Sequence, residues 1–158
     1  MAAADINGDY PELLPRRQSL GYQINHLARL FEQQLRIRIA SYGVVPGQFA
    51  QLLALYEEEP LTQRELCARV RIEQSTMAST LQRMERDGLI QRTADPTDRR
   101  RAQISLTPLS WALQGKLIDA ARQVNALATS GISEDSVTAF MSGAGRMIEN
   151  FESSDRQR

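Results

Sequence analysis

Arg99, Arg100 and Arg101 stand in a row, with Asp95 and Asp98 just before them in DPTDRRR. A guanidinium is a planar fork of donors that fits a phosphate or the edge of a guanine. A neighbouring carboxylate can hold that fork extended by a paired hydrogen bond. An arginine held out in this way enters the narrow, electronegative minor groove of DNA with less loss of entropy. A charged turn kept for solubility would have the same composition. Upstream, Met77, Leu81 and Met84 are spaced i, i+4 and i+7, so a helix over about 74–87 would turn them inward. Its other face would then show Ser75, Thr76, Ser79, Gln82, Arg83 and Arg86. Small hydroxyl side chains let a helix approach base edges, and Arg83 can reach a guanine or a phosphate. An ordinary solvated helix face would look alike. The polar face followed at this spacing by an arginine-rich turn is what points to nucleic acid.

Other chemistries find little material. The chain has 1 cysteine, Cys67, and 1 histidine, His26. An intrachain disulfide, a cysteine-rich metal site and a histidine-centred triad are therefore excluded or poorly supplied. There is no P-loop and no Gly-x-Ser-x-Gly. Neither an enzyme nor a metal or cofactor site is expected. The overall charge is zero, so the whole-protein field does not argue for nucleic acid. Its distribution does: from Arg83 to Arg101, six arginines against four acids leave a net +2. Lys116 is the only lysine, a bias that a GC-rich coding sequence also produces.

The elements that would position these residues follow from periodicity and punctuation. With 158 residues, 42% hydrophobic and 24% charged, the chain suits one domain or two small lobes. Its apolar runs are far shorter than the roughly 20 residues needed to cross a bilayer. MAAADINGDYPELLPRR lacks the pattern of a signal segment, so a cytoplasmic protein is expected. Residues 1–18 read as a flexible arm and 153–158 as a tail. Leu20, Ile24, Leu27, Phe31 and Leu35 predict a helix from Ser19 to Ile39, and Pro46 opens a second to about Glu58. Thr62 with Glu65 has capping-box spacing and starts a short third helix. Gly88 ends the fourth. Leu89 to Thr93 and Ala102 to Leu106 predict the strands of a hairpin. Pro108 to Gly131 and Ser133 to Phe151 predict two closing helices. The fold class is mainly α with a small β-hairpin. The long outer helices carry apolar stripes that would pack together and onto a second copy of the chain.

STMASTLQRMERDGLIQR and DPTDRRRAQISLT together resemble the recognition helix and wing of the MarR family of winged helix-turn-helix regulators. The resemblance extends over about Ser19 to Phe151. It implies a winged helix-turn-helix lobe at 46–107 and a helical dimerisation lobe made of 19–45 and 108–152. It also implies a homodimer on double-stranded DNA, with helix 74–87 in the major groove and wing 95–101 in the minor groove. Arg100 would be the wing-tip arginine and Asp98 its orienting partner. Arg83, Arg86, Arg99 and Arg101 would complete the DNA-binding set with Ser75, Thr76 and Ser79. Two positions depart from the family pattern. Arg101 replaces a small residue, and Ser110 stands where a glycine is common, with only a local effect expected.

The resemblance further implies a small aromatic or phenolic effector, or its coenzyme A thioester, in a cleft between the lobes. His26, Arg29, Tyr42, Gln48 and Trp111 fall on the elements that would line it. Each also has an ordinary reading as a surface, ion-paired or packed residue. Leu20, Ile24, Leu113, Leu117, Phe140 and Ile148 are expected at the dimer interface, although such stripes also fill intrachain cores. Cys67, beside Leu66, reads as a small buried thiol. The leading function is a ligand-responsive transcriptional repressor on an inverted-repeat operator. The alternative is a winged-helix module that binds another protein.

Overall fold

A computed structural model describes residues 16–98 and 101–155 of the chain. Arg99 and Arg100, and all but the last three residues of the expected arm, lie outside the described residues. Six α-helices and three strands follow one another among the described residues: α1 (Leu20–Ile39), α2 (Pro46–Glu57), β1 (Leu61–Thr62), α3 (Gln63–Val70), α4 (Gln74–Arg86), β2 (Ile90–Ala94), β3 (Ala102–Leu106), α5 (Pro108–Ala128) and α6 (Glu134–Asp155). Each boundary has a local cause. The hydroxyl of Ser19 accepts from the Tyr22 N–H and starts α1. Thr62 and Glu65 form the reciprocal capping box of α3. Gly88, at φ 73°, ends α4, a conformation that side chains with a Cβ resist. Its N–H donates to Glu85 O at 3.1 Å and that of Leu89 to Met84 O at 2.8 Å, which satisfies the last carbonyls of the helix.

The sequence predicts a two-stranded hairpin, but the sheet has three strands in the order β1-β3-β2. The added strand pairs Leu61 with Ile104 and Thr62 with Gln103. Two residues are too few for alternation to show, which is why β1 is silent in the sequence.

The core lies where α2, α3, α4 and the sheet meet. Leu52, Leu55, Leu66, Met77, Leu81, Met84, Leu89 and Ile104 are fully buried there. Each such side chain contributes about 1.5–3 kcal/mol by leaving water. α5 joins this core through Leu113 and Leu117, at 8% and 0% exposure. That corrects the expectation for those two residues. Their side of α5 is occupied by the chain's own core, so they do not face a second copy. The other expected interface residues differ: Leu20, Ile24, Phe140 and Ile148 are all exposed. None of the described side chains of α6 is buried. No helix is long and apolar enough to cross a membrane among the described residues.

Candidate nucleic-acid interface

The inward stripe of α4, Met77, Leu81 and Met84, fixes its orientation, and Thr80 is buried beside it. Ser75, Thr76, Ser79, Gln82, Arg83 and Arg86 are consequently all exposed on the outer side. The Ser79 hydroxyl donates back to Thr76 O at 3.0 Å, so it rests against its own helix. Arg83 reaches the Thr80 hydroxyl at 3.4 Å and is otherwise directed outward. Arg86 is tethered: its guanidinium contacts Asp87 at 3.1 Å. Asp87 also accepts from the Gln48 side chain at 2.9 Å. The Gln48 bond and then the Arg86 contact hold the Asp87 carboxyl below the usual carboxylate range. The end of α4 is thereby fastened to the start of α2.

The wing is β2 and β3, in register from Ile90 opposite Leu106 to Ala94 opposite Ala102. Its turn is organised by Asp95, which is buried at 9% exposure. One Asp95 oxygen accepts from the Thr97 N–H at 2.8 Å, the Thr97 hydroxyl at 2.6 Å and the Asp98 N–H at 3.3 Å. The Thr97 hydroxyl first, then these N–H groups, keep the Asp95 carboxyl below its ordinary range. The Asp95 N–H closes the turn onto Arg101 O at 3.0 Å. Asp98 contacts Arg101 at 3.4 Å. Its expected partner, Arg100, and the neighbouring Arg99 lie outside the described residues. Asp95, expected only as a neighbour of arginines, is the residue that shapes the turn.

The recognition-helix residues and the wing share one side of the molecule. Gln74 at the start of α4 and Arg101 at the root of the wing line the same cleft of about 490 Å³. Gln63, Arg64 and Arg92 line it too, and sequence reading did not place them at a site. The β1–β3 pairing brings Arg64 there, and that pairing left no sequence signal.

The expected effector residues are not brought together. His26 lies beside Tyr22, ring centroids 6.3 Å apart, in a shallow hollow with Arg16 and Arg17. Arg29 is exposed on α1. Tyr42 has the Lys116 ammonium 5.6 Å from its ring centre. Gln48 is 3% exposed and committed to Asp87 and to the Val45 N–H. Trp111 packs on Tyr56 and donates to Glu59 at 3.2 Å. Each of the five thus has surroundings of its own. The space between the lobes is instead a cleft of about 400 Å³ bounded by α1, α2 and α5, with Phe31, Leu35, Phe49 and Leu53 in its wall.

Ser110 does more than the local work expected of it. Fully buried, it donates its hydroxyl to Leu89 O at 2.6 Å and its carbonyl accepts from the Tyr56 hydroxyl at 2.6 Å. Burial pushes the Tyr56 pKa up to about 12, so the phenol remains a donor at neutral pH. These bonds lock α5 to α2 and to the entry of the wing. Cys67 is buried; desolvation, then Glu73, raise its thiol pKa, as for a packing residue. No group of His, Cys, Asp and Glu able to hold a metal ion occurs among the described residues.

Comparisons with known proteins agree with this geometry. Residues 42–101 match the model of the MarR family. The chain is 30% identical over 134 residues to the HTH-type transcriptional repressor NicR of Pseudomonas putida, covering 82% of this chain and 85% of that one. It is 34% identical over 85 residues to the HTH-type regulator YsmB of Bacillus subtilis, spanning 54% of this chain and 58% of YsmB. The fold matches a probable transcriptional regulator from Pseudomonas aeruginosa with a TM-score of 0.77 and 27% identity, over 84% of this chain and 99% of that one. With an outward polar α4, the β2–β3 hairpin and these relatives, the chain belongs to the MarR family of DNA-binding transcription regulators, and it is a regulator rather than an enzyme.

Proposed function

We propose that the protein is a homodimeric, ligand-responsive repressor that binds an inverted-repeat operator in the cytoplasm. The observation that carries the homodimer is α6. It is 22 residues long, and Phe140, Met141, Ile148 and Phe151 on it are between 46% and 74% exposed. α1 adds exposed Leu20, Ile24, Leu27 and Leu30. Large apolar side chains left exposed in this number on two helices mark an interaction face. A two-fold pair would set two α4 helices on one side of a duplex, with half-site centres about 34–36 Å apart. Repression is supported by the similarity to NicR, which is named a repressor.

The effector reading rests on the apolar cleft between α1, α2 and α5. A small aromatic or phenolic acid, or its coenzyme A thioester, that fits the cleft in only one arrangement of the lobes would shift the spacing of the two α4 helices. A coupling of about 1–3 kcal/mol changes DNA affinity roughly 5- to 150-fold. Light scattering on the purified chain tests the dimer. Gel shifts on selected DNA, with a panel of phenolic acids and thioesters, test the response. Release by one compound class, lost in Phe49→Trp, supports the cleft. Release that survives Phe49→Trp places the effector elsewhere.

A further inference from the structure

A duplex held by a helix in the major groove and a hairpin in the adjoining minor groove presents one sugar-phosphate strand between them. That strand must cross the protein surface between α4 and the wing. Here this surface is the 490 Å³ cleft bounded by the starts of α3 and α4 and by β2 and β3. Three arginines line it, one from each wall: Arg64 of α3, Arg92 of β2 and Arg101 at the root of β3.

The fold converges on this arrangement from separate causes. Pairing of Thr62 with Gln103 lays the start of α3 along β3. The Gln63 side chain donates to that of Gln74 at 3.1 Å and draws the start of α4 alongside. Arg92 stands opposite Ile104 in the hairpin register, and its Nε contacts Glu85 at 3.2 Å. Three carboxylates lie near, and each is engaged. Glu85 meets Arg92 and Asp98 meets Arg101. Glu65 caps α3 through the N–H and hydroxyl of Thr62. A guanidinium has five donors, so one contact through Nε leaves most of Arg92 and Arg101 available. Arg64 is exposed and forms no ion pair among the described residues. Bidentate donation suits a phosphodiester, whose charge is always present and whose identity does not depend on the base.

We propose that Arg64, Arg92 and Arg101 form the seat for the phosphodiester strand lying between the major groove read by α4 and the minor groove entered by the wing. The proposal rests on the placement of α4 and the wing on DNA. The seat fixes register and adds affinity without sequence preference.

The test is affinity against salt concentration for the full chain and its Arg64→Ala, Arg64→Lys and Arg92→Ala variants. Two duplexes of equal length serve as probes: one enriched from a random-sequence library by the wild-type protein, and one of mixed sequence. Each lost phosphate contact removes about 0.9 from the slope of log K against log salt. Because each half of the dimer carries one copy, Arg64→Ala and Arg92→Ala should each lower that slope by about 2 and weaken both duplexes by the same factor. Arg64→Lys should keep the slope, which counts neutralised phosphates, while losing some affinity with the bidentate fork. Thermal melting of Arg64→Ala should match wild type, as that side chain is exposed. An unchanged slope in Arg64→Ala and Arg92→Ala overturns the seat, and so does a loss confined to the enriched duplex. No salt-dependent binding by the wild-type protein overturns the placement on DNA itself, and the seat with it.

Discussion

Arg83 and Asp95 illustrate the two kinds of work done by single residues at the interface. Arg83 is exposed on α4, with the Thr80 hydroxyl at 3.4 Å and the Asp87 carboxylate near enough to feel its charge. Arg83→Ala should change the preference among operator variants by about 1–3 kcal/mol at one position, read by competition binding with single-base substitutions. An equal loss on every duplex would assign it to phosphate. Asp95 acts through the turn. Its folded pKa lies below the ordinary value of about 3.9, so its stabilising effect is complete above that value. It is lost as pH falls through the folded pKa. Wild type should melt higher than Asp95→Asn at neutral pH, and the gap should narrow on acidification below about pH 4. A gap of constant width would show that the carboxylate charge does not hold the turn. The polar face of α4 was legible because period and hydroxyl chemistry coincide there. The role of Asp95 was not, because a row of arginines draws attention to charge while the turn depends on N–H groups of Thr97 and Asp98. Arg64 was hidden for a different reason: its relevance depends on a strand pairing across forty residues.

At the scale of elements, helices were the most readable because each carries both a stripe and a stop. Ser19, Thr62, Pro46, Gly88 and Pro108 mark boundaries that recur in the structure. What a stripe faces is a separate question, and α5 shows why. Its apolar positions satisfy the same spacing whether a second chain or the chain's own α2 and sheet covers them. Leu117 is wholly enclosed within the protomer. Leu117→Ala should therefore cost about 2–5 kcal/mol of folding stability in urea unfolding, through lost burial and the cavity left behind. The association state of the folded fraction should not change. A variant of normal stability that dissociates would return Leu117 to an interface. Gln48 carries the same lesson for polar residues. Read from sequence it is a candidate for a ligand, but in the fold both ends of its amide are spent on Val45 and Asp87. Long-range partners of this kind leave no local pattern.

The whole molecule divides into a packed lobe and an unpacked one. The core joins α2, α3, α4, the sheet and one side of α5, whereas α6 and the outer side of α1 keep their apolar residues in water. That imbalance is the physical argument for a second copy. Phe140→Asp with Ile148→Asp should convert the protein to a folded monomer by light scattering and should abolish tight operator binding, since one recognition helix gives only half the contacts. Retained dimers would move the interface away from α6. Dimeric, sequence-specific DNA binding is tested by selection of duplexes from a random-sequence library with the wild-type chain, followed by affinity across salt concentrations. An enriched inverted repeat with half-site centres one helical turn apart, and affinity that falls steeply with salt, is the expected result. Enrichment of no sequence by a folded dimer, or binding indifferent to salt, would contradict it.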